Sequence, residues 1–252
     1  MSGRTFVIGD IHGDLPGLEL VLSRLPALTP ADTLVFLGDF VDRGPNPRGV
    51  VERVRAVVAA GPQKTITLRG NHEDKWAKCF VAPDPAFLLP VGNGCASTFR
   101  SFTGGPPVDP ETGLSADEMI RFLDVPAWFP KETAEWFASL PLYHEDEHAL
   151  YVHAGVDGEA GAWKHPSETA PATLMWMRDP AFFRDYDGKR LVFGHTLTRE
   201  LPVDHLGAVR KLFDDPLDVW FRNSLIGLDT GAGKDGYLSA IELPSLAIYT
   251  SR

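Results

Sequence analysis

VIGDIHG at Val7–Gly13, VFLGDFVDRG at Val35–Gly44 and LRGNHE at Leu68–Glu73 share one design. In each, a short apolar run breaks at a glycine and passes directly into Asp, Asn or His. Thr5–Gly9, Thr33–Leu37 and Thr65–Leu68 therefore read as short buried strands. Between the first two, Leu15, Leu18, Leu22 and Leu25 recur at three- and four-residue spacing, which predicts a helix with Pro16 in its first turn. Before the third, Val50, Val51, Val54, Val57 and Val58 form a second such stripe, stopped by Gly61-Pro62. Strand, helix, strand, helix, strand implies right-handed crossovers and a mostly parallel sheet. Open sheets of this kind gather their polar side chains beyond the carboxyl ends of the strands. Glycines there let the chain turn sharply and let the backbone approach a metal or phosphate.

Working outward, a helix is expected from near Glu73, with Trp76 and Phe80 facing inward. From about Pro83 to Pro130 the strand rhythm is lost, and residues 83–130 are expected to form an irregular insertion covering the site, with one helix near Ala116–Leu123. A helix around Glu132–Leu140 leads back to the core. Leu150–His153, Leu191–Phe193 and Leu225–Leu228 read as further strands, and Tyr237–Leu243 with Leu246–Thr250 as a closing antiparallel pair around Pro244. Two mixed sheets in a sandwich, flanked by helices, suit this order better than one doubly wound sheet. The expected fold class is thus α/β, with residues 1–252 as a single domain and no internal repeat.

The 252 residues are 44% hydrophobic and 23% charged, enough for a sizeable core. A net charge of −10 argues against nucleic-acid or anionic-membrane binding, which needs clustered Lys and Arg. It does not argue against a phosphate ester, because divalent cations and a few aimed arginines would dominate the local field. Cys79 and Cys95 are too few for a disulfide framework and read as free, partly buried thiols. With no signal-peptide pattern and no membrane-length apolar run, a cytoplasmic location is the expectation.

Asp10 and His12 stand one residue apart, so both side chains can reach one ion. Asp39 follows the next strand, and its two oxygens suit it to bridge two ions. Asn71 offers a neutral amide oxygen, and His153 and His195 each follow an apolar run. Carboxylate, imidazole and amide donors without thiolate favour Mn, Fe or Zn. Two such ions about 3.5–4 Å apart clamp both oxygens of an in-line displacement. His72, next to Asn71, is left free for proton work as a general acid, with Asp42 to fix its tautomer. Arg43 and Arg69 flank the metal loops and can grip phosphoryl oxygens in a fork, with Arg178 as a third candidate. His144, His148, His165 and His205 lack this context and are assigned to solvent or turns. Gly231–Gly236 lacks the spacing of a phosphate-binding P-loop and reads as a turn between strands.

These segments closely resemble the phosphoprotein phosphatase family of metallophosphoesterases, whose hallmarks GDxHG, GDxVDRG and GNHE all stand complete here. His153-Ala154-Gly155 and Gly194-His195-Thr196 resemble its two later metal-histidine segments, and the likeness runs from about Phe6 to Ile248. Asn93-Gly94, Thr98, Trp176–Arg178 and Leu228-Asp229-Thr230-Gly231 resemble the bacterial and phage lambda-type branch, which includes protein serine/threonine phosphatases and diadenosine tetraphosphate hydrolases. The resemblance implies one ion on Asp10, His12 and Asp39, and a second on Asp39, Asn71, His153 and His195. It implies Mn²⁺ as the usual metal, His72 with Asp42 as the acid pair, and Arg43, Arg69 and Arg178 on phosphate. It also implies direct attack by a hydroxide bridging the ions, with no phosphoenzyme. The favoured expectation is a protein serine/threonine phosphatase acting on a phosphoprotein or a phosphorylated small molecule. The alternative is a dinucleoside polyphosphate hydrolase on the same site; a catalytically dead scaffold would lack a ligand or His72, and none is missing.

Overall fold

The computed structural model describes residues 3–108, 113–202 and 218–252, so the assignment of His205 falls outside the described residues. β1 (Thr5–Ile8), β2 (Thr33–Phe36) and β3 (Lys64–Thr67) alternate with α1 (Leu15–Arg24) and α2 (Pro47–Ala60). Then come α3 (Asn71–Val81), α4 (Pro85–Leu88), α5 (Cys95–Thr103), α6 (Ala116–Leu123), α7 (Val125–Trp128) and α8 (Lys131–Ser139). β4 (Tyr143–Glu145) and β5 (Leu150–Val152) precede α9 (Pro171–Trp176), α10 (Pro180–Asp185) and β6 (Leu191–Phe193). β7 (Trp220–Arg222), β8 (Leu225–Gly227), β9 (Ser239–Leu243) and β10 (Ile248–Thr250) complete the described elements.

The strands form two five-stranded mixed sheets, ordered β10-β9-β1-β2-β3 and β4-β5-β6-β8-β7. β1, β2 and β3 run parallel, as do β5, β6 and β8, with antiparallel strands at the margins. Alternation along each strand separates three apolar layers. Val7, Val35, Tyr151, Val192 and Ile226 meet between the sheets. Phe6, Ile8, Leu34 and Phe36 turn the other way, onto α1, α2 and α3. Leu150, Val152, Leu191 and Phe193 pack outward onto α9 and α10 through Leu174, Phe182 and Phe183. The expected helix-flanked sandwich is therefore the observed fold. α1 and α2 begin where Asp14 and Asn46 accept the backbone N–H of Gly17 and Gly49, each with proline in the first turn.

Residues 83–130 differ from an irregular cover. Most of them fold into α4, α5, α6 and α7, which share an aromatic core with α3. Trp76 stacks on Phe129 with ring centres 5.1 Å apart, and Phe99 meets Trp128 edge-on at 5.1 Å. α6 is the helix expected near Ala116–Leu123, whereas α4 and α7 are four residues each and α5 only nine, too short to show a repeated stripe. β4 and β7 were not anticipated, because three-residue strands carry too little alternation. His144, expected in solvent or a turn, lies on β4 and stacks on Tyr151. His148 reaches the Gly3 carbonyl at 2.9 Å, and exposed His165 lies 3.0 Å from Glu145. Cys79 and Cys95 are both free and fully buried.

Candidate metal centre

The loops leaving β1, β2, β3, β5 and β6 converge at one edge of the sandwich. Their geometry is strained. Among the described residues, the non-glycine positions with positive φ are His12, Asp39, Asp42, Arg43, His195, Asn223 and Leu246, and the first five belong to these loops. Such conformations cost about 1–3 kcal/mol each and persist where the surroundings enforce them. Close approach adds a second constraint. A Cβ at Gly194 would lie 1.9 Å from Asp10 Oδ1, so only glycine lets the β6 loop reach the β1 loop.

Two clusters of ligating atoms result, His12–Asp39–His72 and Asp39–His153–His195, and Asp39 belongs to both. Its Oδ2 lies 3.3 Å from His12 Nε2, and its Oδ1 lies 3.5 Å from His153 Nε2. His12 Nδ1 is 2.9 Å from the Val41 carbonyl and His153 Nδ1 is 2.9 Å from that of Leu37. A carbonyl only accepts, so each Nδ1 carries the proton and each Nε2 offers a lone pair inward. Asn71 Oδ1 sits 2.9 Å from both His153 Nε2 and His195 Nδ1. Asp10 accepts the His195 N–H through Oδ2 at 2.9 Å, while its Oδ1 is buried without any partner. Asp10 is in neither cluster, but its orphaned buried carboxylate oxygen on the β1 loop, with the two inward imidazole lone pairs, fits a bound cation. The donor set, oxygen and imidazole nitrogen without sulfur, suits a divalent transition metal.

Electrostatics agree. Burial alone would push the Asp39 carboxyl up, yet His153, His72, His12 and Arg43 outweigh it and hold the group well below the usual carboxylate range. Burial pushes Asp10 well up, helped by Asp229 and Asp39. Burial also lowers His12, His153 and His195, which favours the neutral form that a metal-binding imidazole needs. His72 behaves oppositely. Burial opposes its charge, but Asp39 and Asp42 overcome that and raise it.

His72 Nδ1 lies 2.5 Å from Asp42 Oδ2. Asp42 also accepts from Trp76 Nε1 at 2.9 Å and from Thr98 Oγ1 at 2.5 Å. The imidazole is thus clamped with Nε2 facing Asp39 Oδ2 at 3.9 Å. α3 begins at Asn71, so Asn71 and His72 diverge from its first turn as their adjacency required.

The three arginines separate. Arg43 enters the centre, with Nη1 against His12 Nε2 and Nη2 3.4 Å from His72 Nε2. Arg178 donates from Nε and Nη2 to His195 Nε2 and its carbonyl, each at 3.1 Å, and faces Glu200 at 3.6 Å. Arg69 donates instead to the carbonyls of Ala138 and Leu140 at the end of α8 and faces Asp74. It makes no hydrogen bond to either ligand cluster.

Two buried carboxyls carried no assigned role in the sequence. Glu73 accepts the N–H groups of Asp39, Phe40 and Gly70 at 2.7, 2.8 and 3.0 Å and so fixes the backbone at Asp39, the residue common to both clusters. Burial, with Asp39 nearby, pushes it up to about 8. Asp229 follows β8 as Asp10 and Asp39 follow their strands, and that position was the available signal; burial raises it to about 6.

Mixed carboxylate, imidazole and amide donors sharing one aspartate, at the joined edges of a two-sheet sandwich, define a metallophosphoesterase. The chain belongs to the calcineurin-like phosphoesterase family, whose model matches residues 3–199, and that family works through a metal pair. It is 30% identical over 152 residues to the symmetrical bis(5'-nucleosyl)-tetraphosphatase of Janthinobacterium sp. (strain Marseille), covering 60% of this chain and 43% of that one. It thus spans under half the length of that relative. It is 24% identical to the asymmetrical bis(5'-nucleosyl)-tetraphosphatase PrpE of Anoxybacillus flavithermus, over 95% of this chain and 90% of that one. It is 41% identical over 133 residues to the serine/threonine-protein phosphatase 6 catalytic subunit of Drosophila melanogaster, covering 47% of this chain and 43% of that one. Among the described residues no helix is long and apolar enough to cross a membrane.

Proposed function

We propose that this phosphoesterase hydrolyses dinucleoside polyphosphates such as diadenosine tetraphosphate on the centre built by Asp10, His12, Asp39, Asn71, His153 and His195. Trp176 carries the choice of substrate. The residue is 42% exposed and its ring meets His195 edge-on at 5.9 Å, so an accessible aromatic side chain stands beside the centre. A purine stacks on such a ring with about 1–3 kcal/mol of benefit, whereas a phosphoserine offers nothing flat to place there. Similarity to PrpE over nearly the whole chain supports the same reading.

Two divalent ions, Mn²⁺ by preference and Fe or Zn by donor chemistry, would be held by these six residues, with Asp39 shared. When bound, such a pair supplies water activation and neutralises charge on the phosphoryl oxygens. Arg43 and Arg178 bind the equatorial phosphoryl oxygens and orient phosphorus for in-line attack. Arg69 would join them only by leaving the carbonyls of Ala138 and Leu140. His72 donates its Nε2 proton to the departing oxygen, and Asp42 holds the ring cationic until it does.

That acid pair favours a second reading, a protein serine/threonine phosphatase. A serine alkoxide needs protonation far more than a departing phosphate chain does. Turnover of diadenosine tetraphosphate and of a phosphothreonine peptide, side by side with Mn²⁺, separates the two. A kcat/KM at least tenfold higher on the dinucleotide is expected; the reverse preference selects the protein phosphatase.

A further inference from the structure

His195 faces the centre differently from the other two candidate histidine ligands. His12 and His153 each tie Nδ1 to a backbone carbonyl and turn Nε2 inward. His195 turns Nδ1 inward, 2.9 Å from Asn71 Oδ1, which lies 2.9 Å from His153 Nε2 as well. Its Nε2 meets Arg178 Nε at 3.1 Å. Among the described residues these are the hydrogen-bond contacts of the ring, so no backbone carbonyl or carboxylate holds its tautomer.

Arg178 grips this residue with one fork of its guanidinium, Nε to the ring and Nη2 to the His195 carbonyl, each at 3.1 Å. Glu200 lies on the remaining arm, 3.6 Å from Nη1. The bond from Nε sets a condition. An arginine Nε always carries hydrogen, so His195 Nε2 must accept, and the single proton of the neutral ring must sit on Nδ1 and be donated to Asn71. A ring that ligates a metal through Nδ1 carries that proton on Nε2 instead. The two arrangements exclude each other, and in the second, two donors face one another at the Arg178–His195 contact. A ligating imidazole ordinarily gives its second N–H to a carboxylate, a carbonyl or water. Here the group placed at that nitrogen is a guanidinium.

We propose that metal loading turns the Arg178–His195 pair into an oxyanion site, in which Arg178 Nε–H and His195 Nε2–H together donate to one oxygen of the substrate's phosphoryl group. The inference rests on the metal reading of His195 and deepens the role given to Arg178. While Nδ1 keeps the proton, the two side chains satisfy each other and offer nothing to an anion. Once Nδ1 is a ligand, the ring stays neutral and its proton sits on Nε2, so the change is one of tautomer and not of charge. Nη2 still anchors the guanidinium on the His195 carbonyl, and the acceptor that both N–H groups lack is supplied by the ester. The Arg178 side chain is half-exposed, and exposed Trp176 lies edge-on to the same imidazole at 5.9 Å, so the pair stands on the accessible side of the centre.

The test follows both side chains by ¹⁵N NMR in the chelator-treated protein, the Zn²⁺-loaded protein and the loaded protein with orthophosphate. Zn²⁺ is diamagnetic and suits the same donors. Arg178→Lys keeps the charge and lacks Nε–H, so it identifies the Arg178 signal by its loss. The chelated protein should show His195 protonated at Nδ1 and a protected Arg178 Nε–H. Zn²⁺ should move the ring proton to Nε2 and speed exchange of the Arg178 Nε–H with water by about 10-fold, the worth of one lost hydrogen bond. Orthophosphate should restore that protection and slow the His195 Nε2–H as well. By calorimetry, Zn²⁺-loaded Arg178→Lys should bind orthophosphate about 10-fold more weakly than the wild type, because an ammonium supplies charge without the fork. Three results would overturn the proposal: an Arg178 Nε–H unchanged by Zn²⁺, a His195 proton still on Nδ1 in the loaded protein, or an Arg178→Lys affinity within about twofold of the wild type. In each case zinc content and the shifts of His12 and His153 still judge the metal centre by themselves. A protein that takes up no Zn²⁺ would overturn the metal reading and this inference with it.

Discussion

Asp42 is bonded on every side, by His72, Trp76 and Thr98, and has no freedom to act except through His72. His72→Asn should therefore slow turnover by about 10²–10⁴-fold, the usual worth of an acid–base group, while metal content measured by atomic emission stays at the wild-type level. Asp39→Asn should behave differently. Its two oxygens face His12 and His153 at 3.3 and 3.5 Å, so one substitution weakens both halves of the centre. Metal analysis after dialysis should show both ions depleted together; two tightly retained ions would remove Asp39 from the bridging position. Asp39 and His72 were legible as candidates because each closely follows an apolar run and a glycine. Arg69 reads the same way, yet its guanidinium turns to the end of α8, since a neighbour distant in sequence offered bare carbonyls. Glu73 was hidden for the opposite reason: its partners are backbone N–H groups, which no sequence pattern displays.

Elements show the same division. β1, β2 and β3 announce themselves by short apolar runs ending in glycine, and α1 and α2 by a stripe between caps. What ties them together is less visible. Asp32, just before β2, is 3% exposed and accepts from Arg4 N, Nε and Nη2 at 3.0, 3.1 and 2.9 Å, and from Thr29 N and Oγ1 at 2.8 and 2.9 Å. The Arg4 hydrogen bond, with the Thr29 bonds, holds this carboxyl well below its usual range. The unfolded chain therefore binds the proton at a higher pH than the folded one. The stabilisation is complete above the unfolded value near 3.9 and is lost as pH falls toward the folded value. Asp32→Asn should cost about 2 kcal/mol at pH 7, a figure kept low because Arg4 is one-third exposed. Urea unfolding of both proteins at pH 7 and pH 3 should show that gap narrowing by about 1 kcal/mol at the lower pH. A gap constant with pH would mean that the carboxylate charge is not what fastens β1 to β2.

At the scale of the whole molecule, residues 83–130 act as a buttress. The sandwich positions the candidate metal ligands, but the turn carrying Asp42 and Arg43 is held from outside it. Thr98 on α5 accepts the Asp42 N–H at 3.0 Å and donates to its Oδ1 at 2.5 Å, Ser97 Oγ donates to the Arg43 carbonyl at 3.0 Å, and the Gly94 carbonyl accepts the Arg43 N–H at 3.2 Å. Asp42 and Arg43 have φ of 70° and 66°, so this support opposes a tendency of both residues to relax. Thr98→Val keeps the volume and removes both hydroxyl contacts. It leaves all six proposed metal ligands untouched, so metal content should match the wild type. Asp42 would lose one acceptor contact and one backbone anchor, loosening His72 on a fully buried carboxylate. The expected result is a fall in kcat of about 10-fold with KM changed by less than about twofold, recovered by Thr98→Ser, which restores the hydroxyl. Thr98→Val with unchanged kcat would show that the sandwich loops hold the acid pair unaided.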